Sequence, residues 1–197
     1  MEGTEAVTSV VRGEVVRGAK VVLREKRASD AATDYAWRSD PEMARFDAAR
    51  PFSASFDDFR ALYEEELAYS TPFRRTLAIE DQEGRHIGNV MYYNIDHPRG
   101  EAELGITIGV REYWSQGYGT DAVRALVRHL FTKTALRRVY QKTLDWNERA
   151  HRCFGKVGFV VYGTIRRGGY DFTLMEVRRE WLEAGREGVA GEETAQA

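Results

Sequence analysis

The chain is 197 residues long, with 43% hydrophobic, 12% aromatic and 30% charged residues and a formal charge of −2. That length suits a single domain able to bury roughly 70% of its unfolded surface, so no disulfide or structural metal is needed to hold it. The balanced charge excludes a general pull toward nucleic acid or anionic membranes, and the single cysteine, Cys153, excludes an internal disulfide and a multi-thiolate metal site. No stretch approaches the roughly 18 apolar residues of a membrane span, and residues 1–18 lack a signal-peptide apolar run, so the reading is a cytoplasmic protein.

In chain order, residues 1–19 read as an N-terminal extension, and Val21 to Glu25 as a first strand. Ser29 and Asp30 offer a helix N-cap, and Ala31, Ala32, Tyr35, Ala36 and Trp37 carry an apolar stripe expected to stop near Pro41. An aromatic-rich loop leads to Phe56, Phe59, Leu62, Tyr63 and Leu67, whose spacing predicts a second amphipathic helix. Thr76–Glu80 and Ile87–Ile95 read as an antiparallel hairpin around the turn 81–84.

A further strand, 101–110, places Leu104, Ile106, Ile108 and Val110 on one face and Glu103, Gly105, Thr107 and Gly109 on the other. Three small residues and a carboxylate leave a groove beside the sheet; bulges or close packing would read the same way. After Gly117 and Gly119, a helix from about Thr120 buries Val123, Leu126, Val127, Leu130 and Phe131. It crosses over to a strand at 138–144, so residues 102–144 form a parallel βαβ unit of right-handed connection. Asn147 then caps a short helix closed by Gly158, and strands 159–165 and 170–178 flank a turn at 167–169. The Gly-, Glu- and Ala-rich tail 184–197 is expected to be disordered. The fold class is therefore α/β in the α+β sense: a mixed, mostly antiparallel sheet with a central parallel βαβ crossover and flanking helices, in one domain over 20–183.

The strand, Gly-x-Gly turn and helix at 108–131 suit an anion, because the first amides of a helix have no partner within it and carry the positive end of its dipole. Taken with that stretch, Gln116-Gly-Tyr-Gly-Thr120 and Asn147-Glu-Arg-Ala-His-Arg-Cys-Phe-Gly-Lys-Val-Gly-Phe159 resemble the GNAT superfamily of N-acetyltransferases over about residues 20–182. Tyr113-Trp114, Asn147 to Ala150, Gly158-Phe159 and the run from Asp171 to Trp181 are most similar to its RimJ/RimL-like branch, which includes spermidine acetyltransferases. The resemblance implies that backbone amides of Gln116, Gly117, Tyr118, Gly119 and Thr120 hold the pyrophosphate of acetyl-CoA. It implies also that Ile108, Gly109 and Val110 pair with the pantetheine arm, and that Asn147 and Phe154 border the cofactor. A peptide-like arm can join a splayed strand as an added strand would.

Three residues depart from the family pattern. Trp114 stands where a Gln or Arg is usual, Ser115 where a Gly is common, and Phe154 where many members carry a Tyr that protonates the leaving thiolate; phenylalanine has no proton to give. Cys153 and Tyr162 are the neighbouring substitutes. Acetyl transfer to an amine needs the neutral base form, so Glu103 on the groove face is the candidate general base, with the Val110 amide as candidate oxyanion donor. His97 and residues 92–94 are candidates for the acceptor side, loops 40–56 and 92–100 for its frame, and Arg149, Arg152 or Lys156 for the 3′-phosphate. The four histidines lack metal-ligand spacing, so no metal is expected, nor a nucleic-acid or membrane partner. The expected partners are acetyl-CoA and an amine acceptor (a peptide N-terminus, a polyamine or another small amine), and a homodimer is allowed. The alternative reading, sharpened by Phe154, is a non-catalytic acyl-CoA-binding sensor or regulatory module.

Overall fold

A computed structural model describes residues 16–69 and 71–184, so the tail beyond Ala184 and most of the 1–19 extension lie outside the described residues. The strands are β1 (Val16–Arg17), β2 (Val22–Glu25), β3 (Arg74–Glu80), β4 (His86–Asp96), β5 (Glu101–Ile108), β6 (Arg138–Leu144), β7 (Val160–Arg167) and β8 (Tyr170–Arg178). They form one sheet in the order β1-β2-β3-β4-β5-β6-β8-β7, antiparallel throughout except for β5–β6. The helices are α1 (Ala31–Ser39), α2 (Pro41–Phe46), α3 (Phe56–Ala68), α4 (Tyr118–Lys133), α5 (Glu148–Gly155) and α6 (Arg179–Glu183). The expected mixed sheet with one parallel crossover is the one observed. Among the described residues no helix is long and apolar enough to cross a membrane.

Local chemistry explains the boundaries that differ from the sequence reading. Pro41 starts a helix instead of ending one: its missing N–H costs nothing at the first helical position, and the Asp40 carboxylate accepts from the amides of Glu42 at 2.9 Å and Met43 at 3.0 Å. Asp30, expected as a cap, is held by the Arg24 guanidinium through bonds of 2.7 and 2.8 Å. Gly158 closes the turn after α5 as expected, with φ of 101°, its own N–H on Gly155 and the Phe159 N–H reaching back to Phe154.

The core lies between the sheet and α4, where Val123, Leu126, Val127 and Leu130 meet Leu23, Ile79, Val90 and Leu104. The last residues of the 1–19 stretch belong to this arrangement. The Asp121 carboxylate in the first turn of α4 accepts from the amides of Ala19, Lys20 and Val21 at 2.7–3.1 Å, and Lys20 Nζ donates to the Gln116 carbonyl at 2.9 Å. These bonds tie the start of α4 to the β1–β2 turn.

Helices α4 and α5 cover one face of the sheet and α1 to α3 the other. A Cβ on Gly119 of α4 would touch Ile108 and Ile106, whereas a Cβ on Gly109 would lie 2.0 Å from Cε2 of Trp37 in α1. Gly109 is thus required by packing. Gly109→Ala is expected to cost about 3 kcal/mol or more, because the indole wedged between α1 and β5 cannot yield 1.5 Å; chemical denaturation measures it, and a loss below about 1 kcal/mol would contradict this packing.

Candidate active site

Strands β5 and β6 pair only at Glu101–Arg138, Ala102–Val139 and Glu103–Tyr140. Beyond Glu103 they part, while β5 stays paired to β4 as far as Gly88–Ile108. The groups of β5 that face β6 from Leu104 onward therefore have no strand partner. A cavity of about 720 Å³ occupies the gap and is lined from both faces of the sheet, by Leu104, Ile106 and Ile108 on the α4 side and by Gly105 and Thr107 on the α1 side.

The expected pairing segment shifts. The Gly109 and Val110 amides both donate to the Ile87 carbonyl, at 2.9 and 3.2 Å, a bulge-like arrangement in which two residues oppose one. Val110 is thus removed as an oxyanion donor, since its N–H is already engaged. The Ile108 carbonyl accepts from Trp114 Nε1 at 2.6 Å. The open edge is consequently 104–108, with the Ile106 and Ile108 amides pointing toward β6 by strand alternation.

At the α4 end, Gly117 holds φ of 88° and no side chain caps the helix. The amides of Tyr118, Gly119 and Thr120 are left as orphan donors at the positive end of the dipole. Gly119 lies inside the first helical turn, because α4 starts at Tyr118, two residues before the start expected from the sequence. Ser115 adopts φ of 60°, the left-handed conformation that explains why a Gly suits this position. Asn147 caps α5 through the Ala150 amide at 3.2 Å and also lines the cavity.

Trp114 has a structural task. Its ring lies 3.8 Å from the Arg149 guanidinium and packs edge-on against Phe46, while Phe46 also meets Trp146. With Arg111 bound to Asp40 at 2.7 Å and Glu42 at 2.8 Å, this clasp fixes α2 beside the cavity. The clasp carries Asp47 to the cavity, where it is the only carboxylate among the described lining residues. Asp47 is open to water within the concavity, yet the surrounding protein pushes its carboxyl above the ordinary range, with Arg38 opposing. Sequence reasoning missed Asp47, which sits in no periodic pattern.

Glu103, the expected base, stands one layer behind the wall. It is 3% exposed and accepts from Tyr93 Oη at 2.9 Å, Asn94 Nδ2 at 2.9 Å and Lys142 Nζ at 2.6 Å. A one-residue bulge in β4, with Asn94 at φ of 51°, aims that amide at it. Tyr93 and Lys142 line the cavity and Glu103 does not, which corrects its placement as an open groove carboxylate. Burial, and after it Glu103, push the Tyr93 hydroxyl pKa up. Of the other acceptor-side candidates, Tyr92 is in the core and neither it nor His97 lines the cavity. Loop 40–56 supplies residues 43 and 46–49, but loop 92–100 supplies only Tyr93.

Phe154 is buried, packs edge-on against Phe159 at 5.1 Å and reaches the cavity wall. Of its two substitutes, Cys153 lines the cavity, and burial raises its pKa so that it stays a thiol near neutral pH. Tyr162 does not line it and lies over Arg138 at 5.0 Å on the far side of the sheet. One further donor is notable. Gln141, 1% exposed on the splayed part of β6, lines the cavity with Nε2 lacking any protein partner. Its inward position follows from the alternation Val139, Gln141, Thr143, a signal the sequence did contain. Arg149, Arg152 and Lys156 all line the α5 side.

Residues 20–160 match the family profile described as Acetyltransferase (GNAT) domain. Among curated proteins the chain is 26% identical over 150 residues to the uncharacterized N-acetyltransferase p20 of Bacillus licheniformis, covering 75% of this chain and 83% of that one. It is 24% identical over 157 residues to the uncharacterized N-acetyltransferase YoaA of Bacillus subtilis, with 77% and 85% covered. Among solved structures it is similar to the aminoglycoside acetyltransferase AAC(6')-Ib in complex with coenzyme A, at a TM-score of 0.70 and 25% identity over 84% of this chain and 99% of that one. Its fold is also that of a spermidine N-acetyltransferase from Vibrio cholerae in complex with CoA and spermine, at a TM-score of 0.72 and 21% identity over 81% and 96%.

Proposed function

The chain belongs to the GNAT acetyltransferase family, and from that premise we propose that it transfers the acetyl group of acetyl-CoA to a primary amine within a ternary complex. The observation that carries the proposal is the parting of β5 from β6 beside the uncapped N-terminus of α4, which opens one cavity to both faces of the sheet. The chemistry of the wall fits the cofactor. Orphan amides at 118–120 suit a pyrophosphate, three cations on the α5 side suit the 3′-phosphate, and the free β5 edge and Gln141 Nε2 suit amide and thioester carbonyls. Solved relatives hold CoA together with spermine or kanamycin, which supports an amine as acceptor.

When bound, acetyl-CoA supplies an activated acyl carbon: the amine nitrogen bonds to it, the C–S bond breaks, the amine loses a proton and the sulfur gains one. On the protein, Asp47 accepts the amine proton, directly or through water, since it alone among the described residues offers a carboxylate at the wall. Glu103 positions Tyr93 and Lys142 from behind. The Cys153 thiol is the proton-bearing neighbour of Phe154. Assignment to the RimJ/RimL-like branch rests on Tyr113-Trp114 and Asn147 to Ala150.

Release of free CoA thiol from acetyl-CoA across an amine panel tests the reading, with turnover above the no-amine background as the expected result. Tight acetyl-CoA binding with no thiol release from any amine would leave the acyl-CoA-sensing role instead.

A further inference from the structure

Resting on the acetyltransferase reading, the charge of the cavity narrows the acceptor. On the α1 side and at the β7–β8 turn the wall carries Arg38, Arg74, Arg167 and Lys142 against the single carboxylate Asp47. Lys142 is matched by Glu103 behind it at 2.6 Å, and Arg74 has only the outward-facing Glu66 at 3.9 Å. Arg38 lies in the field of Asp47, and among the described residues Arg167 has no carboxylate in an ion pair. Among the described residues the three cavity arginines thus outnumber the one carboxylate on their part of the wall, and only Arg38 lies in its field. They are not needed for CoA, whose phosphates fall to the α4 and α5 side, where Arg149, Arg152 and Lys156 stand.

We infer that the acceptor is a small amine carrying its own anionic group, a carboxylate or a phosphate, and not a polycation. The amine faces Asp47, and the anion faces the guanidinium groups of Arg38, Arg74 and Arg167. Guanidinium groups suit this task because their paired N–H donors match carboxylate and phosphate oxygens two at a time. A polyamine entering the same space would bring several cations toward three arginines with one carboxylate to receive them, and like charges brought together select against the wrong ligand. The remaining wall, Met43, Phe46, Met91, Tyr93 and Phe172, is apolar or aromatic and suits a short carbon frame between the two charged ends.

The test uses the full chain and amines of matched size: amino-carboxylates, aminoalkyl phosphates, neutral amino-alcohols, polyamines and an aminoglycoside. The expected result is a kcat/KM about tenfold or more higher for the anionic amines than for the polycations, with KM for the anionic class rising as salt is added. The carboxylate and phosphate arms separate the two sources of the anion. Arg74→Glu and Arg167→Glu replace exposed side chains, so folding is retained, and each is expected to lower the anionic-to-cationic ratio about tenfold through KM. The same panel titrated calorimetrically into the CoA-loaded protein decides the charge preference even if no amine is acetylated, so a failed acetyltransferase reading is distinguishable from a failed charge assignment. Equal or tighter binding of polyamines, or a ratio unmoved by both charge reversals, overturns the inference.

Discussion

Thr120→Asp is expected to weaken acetyl-CoA binding about 100-fold while leaving the fold as stable as before or slightly more so. Thr120 is the third residue of α4, half-buried at the cavity wall, and aspartate differs from threonine little in size. For the helix alone the new charge is favourable, worth about 0.3–1 kcal/mol in the first turn. The existing carboxylate nearby, Asp121, is engaged by the amides of Ala19, Lys20 and Val21 and does not compete. For a pyrophosphate on the same amides the new charge is a like charge at about 4 Å, worth about 4 kcal/mol at an effective dielectric of about 20. Solvent screening lowers this to the ~2.7 kcal/mol that a 100-fold change represents. Calorimetric titration and a melting curve read the two opposite signs, and unchanged affinity would place the phosphates elsewhere.

Asp47→Asn is expected to lower kcat about 100-fold with acetyl-CoA affinity unchanged, the lower end of what a positioned base contributes. The pH profile carries the sign. The protein lining the concavity around Asp47 raises its pKa against the field of Arg38, so activity of the native chain falls as pH drops through that raised value and the carboxylate takes up a proton. In the asparagine variant this acidic limb disappears. A second limb belongs to the amine itself and moves with the pKa of the amine chosen, which separates the two. Glu103→Gln should retain the Asp47 limb and act through stability, costing about 2 kcal/mol, because it leaves Lys142 with a neutral partner and loosens Tyr93. If the limb vanishes instead in Glu103→Gln, the proton leaves through Tyr93 to Glu103 and Asp47 is not the base.

Much of the architecture was legible locally. Apolar, β-branched or alternating runs marked seven of the eight strands, three-and-four spacing marked α1, α3 and α4, and Gly158 announced the end of α5. Two residues of β1 make no pattern, and α2 was hidden by Pro41, which reads as a stop until Asp40 is seen capping the turn it begins. The uncapped start of α4 was likewise legible, because backbone amides at a helix start depend on element order and glycines, both local features of sequence. Its partner residues were not. Val110 looked free until Ile87 was placed opposite it, and Glu103 looked open until Tyr93, Asn94 and Lys142 closed around it.

By itself the sequence determined most of the elements, their order, the single parallel crossover and the glycine-flanked helix start at 116–120. Those follow from propensity, periodicity and the orphan amides of a helix end, which are properties of neighbours along the chain. Only the tertiary structure decided which side chains face the gap between β5 and β6. Asp47 arrives there on α2 through the Trp114, Phe46 and Arg149 clasp, Gln141 is left without a partner by the parting of the strands, and three arginines converge from α1, β3 and the β7–β8 turn. Burial, partner identity and field are set by residues up to about a hundred positions apart in sequence, so local patterns such as the alternation that turns Gln141 inward give a direction but not the partner.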